Sequence, residues 1–266
     1  MSKFGFIGCG NMGGALASAV AKEHGGASII LCDADIAKAG ILAERLSASV
    51  ASIEKLISDA NVIFLGVKPQ GFPALLAEIA PMLEMRKQLP LLVSMAAGLS
   101  TAKISGMLGI NARLIRIMPN TPVAVGEGMI LYSANDTVTK QDVNIFLSAM
   151  KQAGRVTSIP EEKMDAASAV SGCGPAFAYL FAEALADAGV ACGLSRADAQ
   201  TLAAQMMLGS AKMVLESGQN PGALKDAVCS PGGTTIAGVY ALEQGGFRAS
   251  VMSAVMSAYR RTLELK

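Results

Sequence analysis

Through the first half of the chain, short apolar runs alternate with longer stretches in which apolar residues recur every three or four positions. Lys3 to Gly8 reads as a short buried strand, and Asn11 to His24 as a helix. Ser28 to Cys32 repeats the strand pattern, and Asp35 to Leu46 the helical one. Strands follow over Asn61 to Val67, Leu89 to Met95 and Arg113 to Met118, separated by helices over Gln70 to Leu83 and Thr101 to Leu108. Continuous apolar, β-branched runs between helices are strands buried on both faces, as in βαβ units of a parallel sheet. A strand over Met129 to Tyr132, a helix over Thr139 to Lys151 and a strand over Arg155 to Ser158 complete this part.

Past Pro160 the strand pattern stops. Pro175 to Gly189 places Phe177, Leu180, Phe181, Ala184, Leu185 and Ala188 at helical spacing. A long helix over Ser195 to Ser217 opens on a Ser195/Asp198 capping pair, and Asn220-Pro221 has the form of another N-cap and first turn. Helices over 235–244 and 247–265 end the chain. The expected organisation is an α/β domain with a mostly parallel sheet over residues 1–159, then an all-α domain over 160–266. Helices apolar on nearly every face need cover, and Ala203, Ala204, Gly209, Ser210 and Ala211 permit close approach of helix axes. Burial against a second copy about a two-fold axis is the favoured reading, and a compact monomeric bundle is the other.

Composition narrows the function. Of 266 residues 52% are apolar and 16% charged, so the chain is globular and not intrinsically disordered. The net charge of +1 provides no field for nucleic acid. The densest apolar stretch carries Glu183, Asp187, glycines and a proline, which argues against a membrane partner. Five scattered cysteines without a CxxC pair suit a reducing compartment, and no secretory leader is read in the first residues, so a cytoplasmic protein is expected. His24 is the only histidine, which leaves no ordinary zinc set and no Ser-His-Asp triad beyond a helix-end imidazole. No metal site is expected.

The first chemical motif is Gly8-Cys9-Gly10-Asn11-Met12-Gly13, a G-x-G-x-x-G between a predicted strand and a predicted helix. In a dinucleotide loop Gly8 makes the tight turn, Gly10 admits the pyrophosphate to the backbone, and Gly13 lets helix pack on strand. Phosphate then meets free N–H groups at the helix start. Asp33 follows Gly13 by 20 residues, at the end of the second strand. It is placed to accept from the adenosine ribose hydroxyls and to repel a 2′-phosphate, or else to cap the next helix together with Asp35. Three further loops follow strand ends: Val67-Lys68-Pro69-Gln70, Met95-Ala96-Ala97-Gly98 and Met118 to Pro122. All three are expected to line one cleft. Lys68 would contact a ribose or a carboxylate, or simply be solvated, and Ala96 and Ala97 would leave room for a nicotinamide ring. Ser230-Pro231-Gly232-Gly233-Thr234-Thr235, between two helices, offers N–H groups and hydroxyls as a seat for a carboxylate; the alternative is a turn with a threonine cap.

Taken together, GFIGCGNMGGAL, VKPQ, SMAAG, RIMPNTPVAVGEG, SGCGPAF and GALKDAVCSPGGTT, in that order along the chain, resemble the pyrroline-5-carboxylate reductase family. The resemblance implies a Rossmann-like domain, a helical domain that interlocks two subunits, and reduction of 1-pyrroline-5-carboxylate to L-proline. NADPH is the implied cofactor, with NADH as the alternative. Carried over, the cofactor segments are Ile7, Gly8, Cys9, Gly10, Asn11 and Met12, then Gly66, Val67, Lys68 and Pro69, then Met95, Ala96 and Ala97. Ser230, Gly233, Thr234 and Thr235 would hold the substrate, with the Thr235 hydroxyl near the ring nitrogen as the catalytic group. The implied partner is a second copy, joined through the C-terminal helices, or a higher assembly of dimers. Two departures stand out: Cys173 replaces a common serine, and Asp33 stands where NADPH-using members often have a small hydroxyl residue. A β-hydroxyacid dehydrogenase would share both halves but resembles the chain less, because Ser171 to Asp187 contains no lysine. A non-catalytic dinucleotide sensor would not need the SPGGTT seat.

Overall fold

The computed structural model describes residues 2–264 and divides them into two compact units. One runs through Gly172 and takes in the chain again from Tyr259; the other is Cys173–Ala258.

The first unit is an eight-stranded sheet. Its strands are β1 (Phe4–Ile7), β2 (Ile29–Cys32), β3 (Ser49–Val50), β4 (Val62–Leu65), β5 (Leu91–Ser94), β6 (Arg113–Met118), β7 (Gly128–Ala134) and β8 (Gly154–Ser158), in spatial order β3-β2-β1-β4-β5-β6-β7-β8. Among the described residues only the β6–β7 pair is antiparallel. The sheet is therefore mostly parallel, as the uninterrupted apolar strands require. β1, β4, β5 and most of β6 are buried because helices cover both faces.

The helices over this sheet are α1 (Asn11–His24), α2 (Ile36–Leu46), α3 (Ile53–Asp59), α4 (Phe72–Glu84), α5 (Thr101–Leu108), α6 (Lys140–Met150) and α7 (Met164–Ser171). Side-chain caps set several starts. Asp35 accepts from Lys38 N–H, Ser52 from Lys55 N–H and Ser100 from Lys103 N–H, while Thr139 and Asp142 form a reciprocal capping box. Alternate residues of each strand feed two cores. Phe4, Phe6, Phe64 and Val93 face one side with α1; Ile7, Ile63, Leu65 and Leu92 face the other with α4. Phe6 and Phe64 stack across the β1–β4 pair with centroids 4.5 Å apart. Deleting either ring costs about 3–5 kcal/mol by the usual core-truncation range.

Four stretches differ from the sequence expectation. β3 and α3 occupy a stretch read as featureless, because β3 is a two-residue edge strand with both side chains exposed. α7 packs on β7 and belongs to the sheet unit, which therefore extends beyond the division expected at 159/160. Finally, the helical stretch Glu161–Ala191 is long and apolar enough to cross a membrane by length and composition, contrary to the expectation from its charges. Its beginning is committed to the sheet: Arg116 of β6 reaches Asp165 at 3.0 Å, and both are buried.

The second unit consists of α8 (Gly174–Ala191), α9 (Arg196–Ser217), α10 (Pro221–Ala227), α11 (Thr234–Gln244) and most of α12 (Phe247–Glu264). The expected caps form: Ser195 accepts from Asp198 N–H, and Asn220 from Gly222 N–H. α8 packs against α9 as an antiparallel pair, with Ala186, Ala199 and Ala203 buried and Ala199 seated against Gly189. Little else in this unit is covered. Tyr179, Leu180, Leu215 and Met252 are each more than 60% exposed.

Candidate active site

The glycine loop joins β1 to α1, and its three glycines have separate structural reasons. Gly8 adopts φ +97°, and a Cβ there would lie 2.7 Å from the carbonyl carbon of Gly66. A Cβ on Gly13 would lie 2.1 Å from the Gly8 carbonyl oxygen, so α1 can approach β1 only without one. Gly10 is different. It is the N-cap of α1 at φ −65°, and a Cβ there would meet only Lys38 Nζ, at 3.9 Å. No packing inside the protein demands this glycine. The space above it is open, and no side chain caps the first turn of α1. An anion drawn to the helix N-terminus fits this cradle.

Asp33 sits beside the loop. Its Oδ2 accepts from Cys9 N–H at 2.5 Å and its Oδ1 from Asp35 N–H at 2.9 Å. The helix cap is Asp35, so Asp33 is free of that duty. Burial, together with the Asp33 charge, pushes the Cys9 thiol up to about 11, and burial likewise raises Cys32. Cys9 therefore packs as an apolar group and contributes its backbone to the loop. Lys38, on the first turn of α2, was not expected from the sequence. Its ammonium overhangs Gly10, and it lines both cavities that flank the loop.

One of these cavities, of about 690 Å³, is formed by Ile7, Gly8, Gly10, Asp33, Gly66, Val67 and Lys68 among others. The other, of about 800 Å³, takes in Cys9, Gly10 and Asn11. The carboxyl ends of β1, β2 and β4 thus converge as an open parallel sheet requires. The remaining expected residues lie apart from these linings. Met12 packs on the core, and Pro69 opens a short helical turn. Ala96 is 1% exposed in the second core, its N–H donating to Ser94 Oγ, whereas Ala97 is exposed. The Met118 to Pro122 loop has another use as well. Asn120 Nδ2 donates to the Ser171 carbonyl at 2.9 Å, and its Oδ1 accepts from Met129 N–H at 2.8 Å.

Behind β5 and β6 lies a buried charge cluster that strand periodicity concealed. The Arg116 guanidinium is 3% exposed; it pairs with Asp165 at 3.0 Å and Glu161 at 3.4 Å. Glu161 also accepts from the N–H and hydroxyl of Thr101, at the start of α5. This cluster ties the segment after the Ala96-Ala97 loop to α7.

In the second unit, the SPGGTT loop leads into α11. Gly232 adopts φ +65°, a conformation that favours glycine. A Cβ on Gly233 would lie 2.3 Å from Ser230 Oγ, so this glycine accommodates the serine side chain. Gly233 N–H is engaged by the Ser230 carbonyl at 3.0 Å. Gly233 is also the N-cap of α11, without a side-chain cap. Neither threonine is the cap. Thr234 and Thr235 occupy the first turn, exposed, where their N–H groups have no intrahelical acceptor. The seat is thus built from the backbone of Thr234 and Thr235 with nearby hydroxyls, and Gly233 shapes it.

Comparison with known proteins agrees with this geometry in both units. A family described as pyrroline-5-carboxylate reductase dimerisation matches residues 161–265, and one described as NADP oxidoreductase, coenzyme F420-dependent, matches residues 3–98. The pyrroline-5-carboxylate reductase of Escherichia coli K12 is 40% identical over 268 residues, covering 99% of this chain and 98% of that protein. Two solved structures agree across the whole length. The pyrroline carboxylate reductase of Plasmodium falciparum, determined with NADP bound, is 36% identical with a TM-score of 0.87, covering 98% of this chain and 97% of that one. The pyrroline-5-carboxylate reductase of Coxiella burnetii is 33% identical with a TM-score of 0.90, covering 100% and 98%. With both loops present and the match running over nearly the whole chain, the chain belongs to the pyrroline-5-carboxylate reductase family.

Proposed function

We propose that this protein reduces 1-pyrroline-5-carboxylate to L-proline, taking a hydride from NADPH or NADH. The observation that carries the reading is the uncapped start of α11. Glycine loops serve many dehydrogenases, but a second anion seat with adjoining hydroxyls suits a small carboxylate substrate. The division of labour assigns cofactor binding to residues 1–159 and substrate binding and dimerisation to 160–266. The family match over 161–265 supports that division, although α7 packs with the sheet.

The residues fit a nicotinamide dinucleotide, which supplies the hydride when bound. Gly10, Asn11 and Met12 would meet its pyrophosphate, and Gly66, Val67 and Lys68 would border the ribose. The substrate carboxylate would rest on the N–H groups of Thr234 and Thr235. The Thr235 hydroxyl would donate to the ring nitrogen and relay a proton from water as that nitrogen gains basicity. Hydride transfer to a C=N bond depends on position and charge balance more than on a strong acid, so the lack of a histidine in either loop is no obstacle.

The exposed apolar faces of α8 and α9 fit a homodimer, or a higher assembly of dimers, better than a lipid or nucleic-acid partner. The five unpaired thiols suit the cytoplasm. Mixing the protein with NADPH and pyrroline-5-carboxylate and following the nicotinamide absorbance tests the activity. No substrate-dependent oxidation with either NADPH or NADH would reject it.

A further inference from the structure

We infer that a cavity at the opposite end of the sheet, bordered by Arg86 and Arg113, binds a phosphate group, carried by inorganic phosphate or a small phosphate ester. The cavity, of about 560 Å³, lies beside the first residues of β4, β5 and β6. The glycine loop and segment 66–68 follow the other ends of β1 and β4, and this cavity shares no lining residue with the two that flank the glycine loop.

Arg86 stands in the link between α4 and β5. Its Nη1 donates to the carbonyls of Ile57 and Ala60, the latter at 2.6 Å. Nε and Nη2 are left without a partner among the described residues. Arg113 pairs through Nη1 with Asp142 at 2.5 Å and donates through Nη2 to the Leu89 carbonyl, which leaves its Nε. Two guanidinium groups thus border one cavity, and only Arg113 has a carboxylate. Asp142 is fully engaged, because its other oxygen accepts from the N–H and hydroxyl of Thr139. Asp59, whose charge also reaches Arg86, is paired with Lys3 and Lys55. Burial pushes the Arg86 guanidinium down from its ordinary value, against the Asp59 charge, and the Arg113 charge adds to the fall. An anion between the two arginines removes that repulsion. Asn61, Gln88 and Gln141 supply neutral amide donors to the same wall. A tetrahedral phosphate offers oxygens to both guanidinium groups at once, and their N–H geometry matches it.

The test titrates inorganic phosphate by calorimetry into the full-length protein at constant ionic strength, with glycerol phosphate and succinate in parallel. Wild type is expected to bind phosphate, and succinate about tenfold more weakly or less still. Arg86→Met should weaken phosphate by about tenfold or more, through the loss of charge-assisted hydrogen bonds. Because Arg86 also holds the end of α3, Gln141→Glu serves as the second variant. Gln141 is exposed, a glutamate suits the first turn of α6, and its charge opposes the anion without removing a bond of the fold. It should weaken phosphate by a similar factor and leave NADPH affinity unchanged. Tighter binding of glycerol phosphate than of phosphate would identify an ester as the ligand, and weaker binding the free ion. The starts of α1 and α11 are anion seats too, so phosphate binding that neither variant alters belongs there and overturns the inference. No binding to wild type, succinate as tight as phosphate, or a parallel loss of NADPH in Gln141→Glu would overturn it as well.

Discussion

Two glycines three residues apart are expected to fail in opposite ways. Gly13→Ala puts a methyl group 2.1 Å from the Gly8 carbonyl oxygen. Relief requires a shift of roughly an ångström, and Gly8 has nowhere to go because it lies against Gly66. Overpacking of this kind costs about 1–3 kcal/mol. At about 2–4 °C per kcal/mol for a chain of this size, Tm should fall by roughly 2–12 °C. Gly10→Ala meets no atom closer than 3.9 Å, and its φ of −65° suits any residue. Alanine is a poorer N-cap than glycine by up to about 1 kcal/mol, so Tm should fall by no more than about 4 °C. Yet the methyl group fills the space where phosphate must reach the backbone. Losing one charge-assisted hydrogen bond costs about 1.5–3 kcal/mol, so cofactor affinity should drop roughly 10- to 100-fold. Thermal unfolding by calorimetry and cofactor titration on the same preparations separate the two effects. Unchanged affinity in a folded Gly10→Ala protein, or equal destabilisation by both variants, would refute the reasoning.

Thr235→Ser should keep much of the activity, while Thr235→Val, which loses the hydroxyl donor, should lower kcat/KM about 10- to 100-fold with little change in cofactor affinity. Equal behaviour of the two variants would remove Thr235 from the chemistry. Light scattering at micromolar concentration should give at least twice the chain mass. Leu180→Glu, which charges an apolar position 67% exposed in its unit, should shift the protein toward monomer; a fully active wild-type monomer would exclude the dimer. With its thiol pushed up to about 11, Cys9 stays protonated through pH 9 and should resist iodoacetamide at pH 8 in the folded protein, as peptide mapping would show.

The sheet was largely legible in the sequence because strands buried on both faces must be apolar throughout, as Val62–Leu65 is. β3 was not, because an edge strand with exposed Ser49 and Val50 carries no such constraint. The glycine loop was legible from its spacing, but the duty of each glycine appeared only once neighbouring backbone could be measured. Asp33 and Asp35 looked interchangeable as caps until the hydrogen bonds separated them. Lys38 and Arg116 left no signal. One is an ordinary helix lysine by pattern, and the other a polar interruption in an apolar strand. Their roles come from contacts across the chain, such as Arg116 with Asp165, 49 positions later.

That last separation bears on how the chain acquires its shape during synthesis. Arg116 sits in β6 with its guanidinium excluded from water, and among the described residues its Nε finds no partner. Until Glu161 and Asp165 have been made, closing the sheet over this cation would strand a charge at a penalty of about 3–5 kcal/mol. The nascent polypeptide therefore has reason to hold β6 open, or wet, until α7 emerges. A fragment cut at residue 159 would contain every strand and the whole glycine loop, yet lack both counter-ions. The half that looks self-sufficient on paper is thus expected to be less stable alone than within the whole chain.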